Sequence, residues 1–140
     1  MDQILTSYSS RLDSLLSVAS DVALRKRLAA RDDSYPFLHG AVLFKGPRIY
    51  ATGFNQPRYV RWPHLFGVET NTLHAEVACL TGVPDETIRG KDLLVVRINR
   101  SGDLANSKPC CDCQRLMKIK GIRRCYYSIG PDKIGVMRVR

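Results

Sequence analysis

No stretch of this 140-residue chain approaches the roughly 18 unbroken apolar residues that a membrane-spanning helix requires, so no membrane association is expected. The first residues, MDQILTSYSSRLDSLL, lack the basic region, apolar run and cleavage site of a secretion signal, which argues against export. An even complement of cysteines is missing too. There are five, Cys79, Cys110, Cys111, Cys113 and Cys125, and three of them fall within four positions. That is a poor disulfide framework and a good metal or redox cluster, and it fits a reducing, cytoplasmic compartment. The chain shows no internal repeat, low-complexity tract or linker, and its length suffices for one hydrophobic core but not two. One domain spanning residues 1–140 follows.

Acidic residues are few: 13 Asp and Glu stand against 22 Lys and Arg, for a net charge of +9. Much of the excess is C-terminal, where residues 115–140 hold eight basic side chains and Asp132 as the one acid. Such a surface attracts phosphates, on a nucleotide or along a nucleic-acid strand, although a solvated helix face that keeps a protein soluble gives the same count.

Apolar spacing divides the chain. Leu5, Tyr8, Leu12, Leu15, Leu16, Ala19, Val22 and Ala23 recur at intervals of three and four, predicting one long amphipathic helix within residues 1–30 that covers a sheet face. Past the breaker segment 31–36, apolar runs at 37–44 and 49–54 joined by Lys45-Gly46-Pro47 predict a hairpin. Residues 55–73 read as an irregular loop, long enough to suggest a functional role, that gathers Arg58, Tyr59, Arg61, Trp62, His64 and Phe66. A short helix over 74–82, a buried strand over 92–98, a helix over 110–120 stopped by Gly121, and strands over 123–129 and 134–139 complete an α/β pattern.

Two motifs carry chemistry: His74-Ala75-Glu76, and Pro109-Cys110-Cys111-Asp112-Cys113. One imidazole and two thiolates fill three corners of a zinc tetrahedron, and three protein ligands with an open fourth position mark a catalytic rather than a structural metal site. Cys110 and Cys113 share one side of a helix's first turn, and His74 opens another helix. Glu76, two residues from His74, is free to move protons at the open position, which suits hydrolytic loss of ammonia. A thiol redox pair among Cys110, Cys111 and Cys113 is the competing reading, and it leaves His74-Ala75-Glu76 unexplained. Cys79 and Cys125 lie in apolar stretches and read as core residues, Cys111 as a bystander, and His39 and His64 as structural or pocket-facing.

The H-x-E and P-C-x-x-C pair resembles the signature of the zinc-dependent cytidine and deoxycytidylate deaminase superfamily, over about residues 37–129. The resemblance implies a three-layer α/β/α domain with a mixed five-stranded sheet. It assigns Zn2+ to His74, Cys110 and Cys113, acid/base catalysis to Glu76, and a substrate contact to the Ala75 backbone amide. Gly53-Phe54-Asn55 is similar to the family element whose asparagine contacts sugar or base edge, which makes Asn55 a candidate. Residues 120–127 resemble the branch whose fourth strand runs parallel to the third. To these the loop adds Arg58 and Trp62, which could grip a phosphate and stack on a base, although an aromatic loop can equally be tucked into its own core. The expected reaction converts cytosine to uracil on a free nucleotide such as dCMP. The alternative is an editing enzyme acting on cytosine or adenine in single-stranded DNA or RNA; a homo-oligomer is compatible with both.

Overall fold

The computed structural model of the protein describes residues 2–30, 38–56, 60–67 and 74–139, with backbone alone for 26–30. The breaker segment 31–36, the first residue of the 37–44 run, Arg58 and Tyr59 lie outside the described residues. In chain order the elements are β1 (Gln3–Leu5), α1 (Ser10–Ala30), β2 (Leu38–Lys45), β3 (Arg48–Phe54), a 3₁₀ turn (Trp62–Phe66), α2 (Ala75–Leu80), α3 (Asp85–Ile88), β4 (Asp92–Ile98), β5 (Leu104–Ala105), α4 (Cys111–Lys120), β6 (Arg124–Gly130) and β7 (Lys133–Arg138). The strands form one mixed sheet in the order β1-β7-β6-β4-β2-β3, with β5 paired to the end of β4. Among the described strands only β4 and β6 are parallel, as the crossover through α4 requires.

Side chains of the central strands alternate between two buried faces. On β4, Leu93 and Val95 face α2 and α4, while Leu94, Val96 and Ile98 face α1; β2 divides likewise, with Ala41 and Leu43 on one side and Val42 and Phe44 on the other. A strand buried on both faces reads as a continuous apolar run, which is why 92–98 was plain in the sequence. Two glycines let the helices approach. A Cβ at Gly40 would lie 2.3 Å from the Ala19 carbonyl oxygen of α1, and one at Gly53 would lie 2.3 Å from the Cys79 backbone nitrogen of α2.

Three expectations change. The N-terminal helix begins at Ser10 instead of covering the whole of 1–30: Ser9 Oγ accepts from Leu12 N at 3.2 Å as its cap, and Gln3–Leu5 instead pairs with β7. The sheet has seven strands and not five, because β1 and β5 are three and two residues long, too short for alternation to show. The loop 55–73 contains the 3₁₀ turn, which Pro63 opens and Gly67 closes with φ of 74°.

The parallel pairing of β4 with β6 stops at Val95 and Tyr127, and the strands then part. Two buried serines hold the gap. Ser107 Oγ donates to Val95 O at 2.8 Å and Ser107 N to Ser128 O at 2.8 Å. Ser128 Oγ donates to Ala105 O at 2.7 Å and accepts from Arg97 N at 3.1 Å. This network fixes the segment that leads into Cys110.

Candidate metal and catalytic site

Helix starts build the site. His74 is the N-cap of α2 and Cys110 the N-cap of α4, both in extended conformation, so each side chain projects from the first turn of its helix. Cys110 Sγ accepts from Cys113 N at 3.5 Å, and Gln114 Nε2 donates to Pro109 O at 2.8 Å, which closes the turn around the two thiols. The packing of α2 against β3 at Gly53 and of α4 against the same layer brings the two ends together. His74 Nδ1 then lies 3.3 Å from Cys113 Sγ and 3.9 Å from Cys110 Sγ, and the three donor atoms sit within 4.8 Å of one another. Tetrahedral zinc with ordinary bond lengths separates a nitrogen from a sulfur ligand by about 3.5 Å and two sulfurs by about 3.8 Å. The donor set fits Zn2+ in element type, number and spacing. Cys110 is exposed, His74 half-buried and Cys113 buried, so the cluster faces solvent on one side.

Electrostatics favour metal binding. The neighbouring Cys113 thiol and the His74 ring hold Cys110 far below the ordinary thiol range, at about 3. Cys110 and burial push Cys113 up, and Cys110 raises His74 against the effect of its burial. Cys110 is thus the more acidic thiol of the pair, at the positive end of α4, and a divalent cation held there would supply the charge that favours both thiolates. Glu76, 7% exposed in the first turn of α2, is raised above the usual carboxylate range by burial, which outweighs the pull of its own backbone N–H and of His74.

Other candidates divide. Ala75 is buried at the first position of α2, next to the cluster. Asn55 follows β3, where its Oδ1 accepts from His39 N at 3.0 Å while its own N donates to His39 O at 3.4 Å; its side chain thus closes the β2–β3 ladder. Trp62 goes elsewhere. Its indole N–H donates to Thr81 Oγ1 at 2.9 Å, just beyond the end of α2 opposite His74, and its ring meets Phe66 edge-on beneath the Lys120 ammonium. That is the tucked-in arrangement the sequence left open. Arg58 lies outside the described residues. Cys79 and Cys125 are buried and Cys111 is exposed. Ser107, Ser128 and Gln114, which tie down the Pro109–Cys113 turn, gave no sequence signal because their partners are set by tertiary packing.

The chain matches the family model for the cytidine and deoxycytidylate deaminase zinc-binding region over residues 11–129. It belongs to this deaminase family. The family's zinc-binding character agrees with the His-Cys-Cys cluster. No curated protein sequence matches the chain. Among solved structures, the dCMP deaminase of cyanophage S-TIM5 in complex with dCMP and dUMP has a TM-score of 0.51 at 21% identity, covering 86% of this chain and 83% of that one. The same enzyme in apo form has a TM-score of 0.49 at 22% identity, with 81% and 82% covered. At 21% identity the likeness to the nucleotide complex is one of fold, and it supports the cytidine-deaminase architecture of the mixed sheet and its helices.

Proposed function

We propose that this deaminase-family chain hydrolyses the exocyclic amine of a cytosine base, releasing ammonia and leaving uracil, on a free cytidine-type nucleotide such as dCMP. The observation that carries the reading is the placement of a buried carboxyl, Glu76, one helical turn or less from a His74–Cys110–Cys113 donor set that fits zinc. His74, Cys110 and Cys113 hold the metal. Zinc in a site of three protein ligands supplies Lewis acidity that brings water's pKa toward about 7. Glu76, kept protonatable by burial, would take one proton from the water whose oxygen bonds C4 and pass it to ring N3, then carry that oxygen's second proton to the amine as the C4–N bond breaks and ammonia leaves. The Ala75 amide and the Asn55 carboxamide orient the base. The three clustered thiols would stay reduced in the cytoplasm, which is where we place the protein.

The S-TIM5 enzyme, holding dCMP and dUMP, names the substrate to test first. A second reading, editing of cytosine within a single strand, is favoured by the net charge of +9. Zinc-loaded protein is offered dCMP and a cytosine-containing single-stranded oligonucleotide together at matched cytosine concentration, and uracil is quantified in each pool. We expect uracil in the dCMP pool, abolished by Glu76→Gln with zinc content retained. Uracil confined to the oligonucleotide would transfer the assignment to editing, and undiminished turnover in Glu76→Gln would remove that residue from catalysis.

A further inference from the structure

Among the described residues, the face of the sheet opposite the metal site is only partly roofed. α1 lies across β2, β3 and β4. On that same face β1, β6 and β7 present Gln3, Leu5, Arg124, Tyr126, Val136 and Arg138, the described residues that line a cavity of about 340 Å³. It adjoins a second cavity of about 400 Å³, with which it shares Leu5 and Tyr126.

Within the first cavity the charges are paired the wrong way. Arg124 and Arg138 are direct cross-strand partners in the antiparallel β6–β7 ladder, so their side chains leave the sheet on one face, side by side. Like charges directly opposite each other destabilise a sheet. Among the described residues neither guanidinium has an acidic partner, whereas Arg123, one residue away, is neutralised by a bidentate pair with the buried Asp92, at 3.0 and 2.7 Å. An oxyanion between the two arginines reverses the repulsion, and guanidinium forks match phosphate geometry. Tyr126, half-buried on the same strand as Arg124, with Leu5 and Val136, offers an aromatic and apolar wall for an attached organic group.

We propose that Arg124 and Arg138 form a binding site for the phosphate of a phosphorylated ligand, on the sheet face remote from the zinc cluster and separate from catalysis. The phosphate can belong to a small molecule or to a nucleic-acid backbone. The test therefore has two arms, using zinc-loaded full-length protein with either sodium tripolyphosphate or an oligothymidylate of about 12 nucleotides, which contains no cytosine and falls within the span of single-strand sites. Binding is followed by calorimetry for the first and by fluorescence anisotropy for the second.

Arg124→Gln and Arg138→Gln should each weaken binding about tenfold, the usual consequence of removing a charge-assisted contact. Arg48→Gln is the matched control, since Arg48 also faces a cation, Lys45, across the hairpin end but lines neither cavity, and it should change binding less than about twofold. Without ligand, either cavity variant should raise the melting temperature by about 1–4 °C as the like-charge pair is relieved. Dependent binding of tripolyphosphate assigns the site to a small phosphorylated ligand, and dependent binding of the oligonucleotide alone assigns it to a strand. Failure of both probes to bind, or an equal loss in Arg48→Gln, overturns the proposal. None of these readouts requires turnover, so the outcome is independent of the proposed deamination.

Discussion

Gly53→Ala should damage the metal site through packing alone, without touching a ligand. Its new Cβ would fall 2.3 Å from Cys79 N and 2.7 Å from Cys79 Cα, both backbone atoms of α2, so no side chain can rotate away. To reach ordinary contact near 3.4 Å the helix must retreat by about 1.1 Å, an overpacking that costs about 1–3 kcal/mol and lowers the melting temperature by about 3–12 °C at this size. α2 has only six residues and its N-cap is His74, so the retreat moves Nδ1 away from two sulfurs now 3.3 and 3.9 Å distant. Metal sites tolerate about 0.2 Å of misplacement, and disturbing the support of a ligand typically lowers affinity 10- to 100-fold. Gly40→Ala makes the comparison: its Cβ would meet Ala19 O at 2.3 Å and Ala23 N at 2.8 Å, an equivalent clash with α1 on the far side of the sheet. Both variants should melt earlier, by similar amounts. Only Gly53→Ala should lose zinc affinity, measured by competition with a chromogenic chelator well below either melting point. Wild-type zinc affinity in Gly53→Ala, or an equal loss in Gly40→Ala, would show that α2 does not transmit its position to the cluster.

Other consequences are open to direct measurement. Cys110→Ala leaves two donors where catalytic zinc sites use three, so zinc content by elemental analysis should collapse; a stoichiometric metal in that variant would refute the ligand assignment. Ser128→Ala removes the acceptor of Arg97 N and the donor to Ala105 O in a fully buried position, and should cost about 1–3 kcal/mol in urea unfolding, with an unchanged midpoint refuting the network's contribution. Asp2 links β1 to the segment before Cys110, accepting a short hydrogen bond from the Tyr127 hydroxyl and pairing with Lys108 Nζ at 3.1 Å. The Tyr127 hydroxyl above all, joined by Lys108, holds its carboxyl below the ordinary 3.8 against the opposing effect of burial. A lowered folded value means the stabilisation is complete above the unfolded pKa and fades as pH falls through the folded one. The melting-temperature advantage of wild type over Asp2→Asn should therefore be full near neutrality and shrink below pH 3.8; an advantage that stays constant to lower pH would contradict the linkage.

Much of this protein was determined locally, and the sequence displays what is local. A helix face buries residues three and four apart, so Leu12 to Ala23 announced α1, and a strand covered on both sides is apolar along its middle, so Leu93 to Val96 announced β4. The donor atoms were legible for the same reason. Cys110 and Cys113 share one helical turn, and His74 and Glu76 share another, so their identity and spacing are properties of short segments. What tertiary structure decided is everything that rests on a partner far along the chain: β1 became a strand only because β7 offers it an edge, and β5 only because β4 and β6 part there. Trp62 was assigned by Thr81 and Lys120 to the far end of α2, and the two arginines of β6 and β7 became neighbours through register. Distance between His74 and the cysteines was set in the same way, by how closely α2 can settle on Gly53. Backbone propensity and side-chain period act over a few residues, whereas sheet edges, close approaches and charge neighbours exist only once the chain has closed on itself.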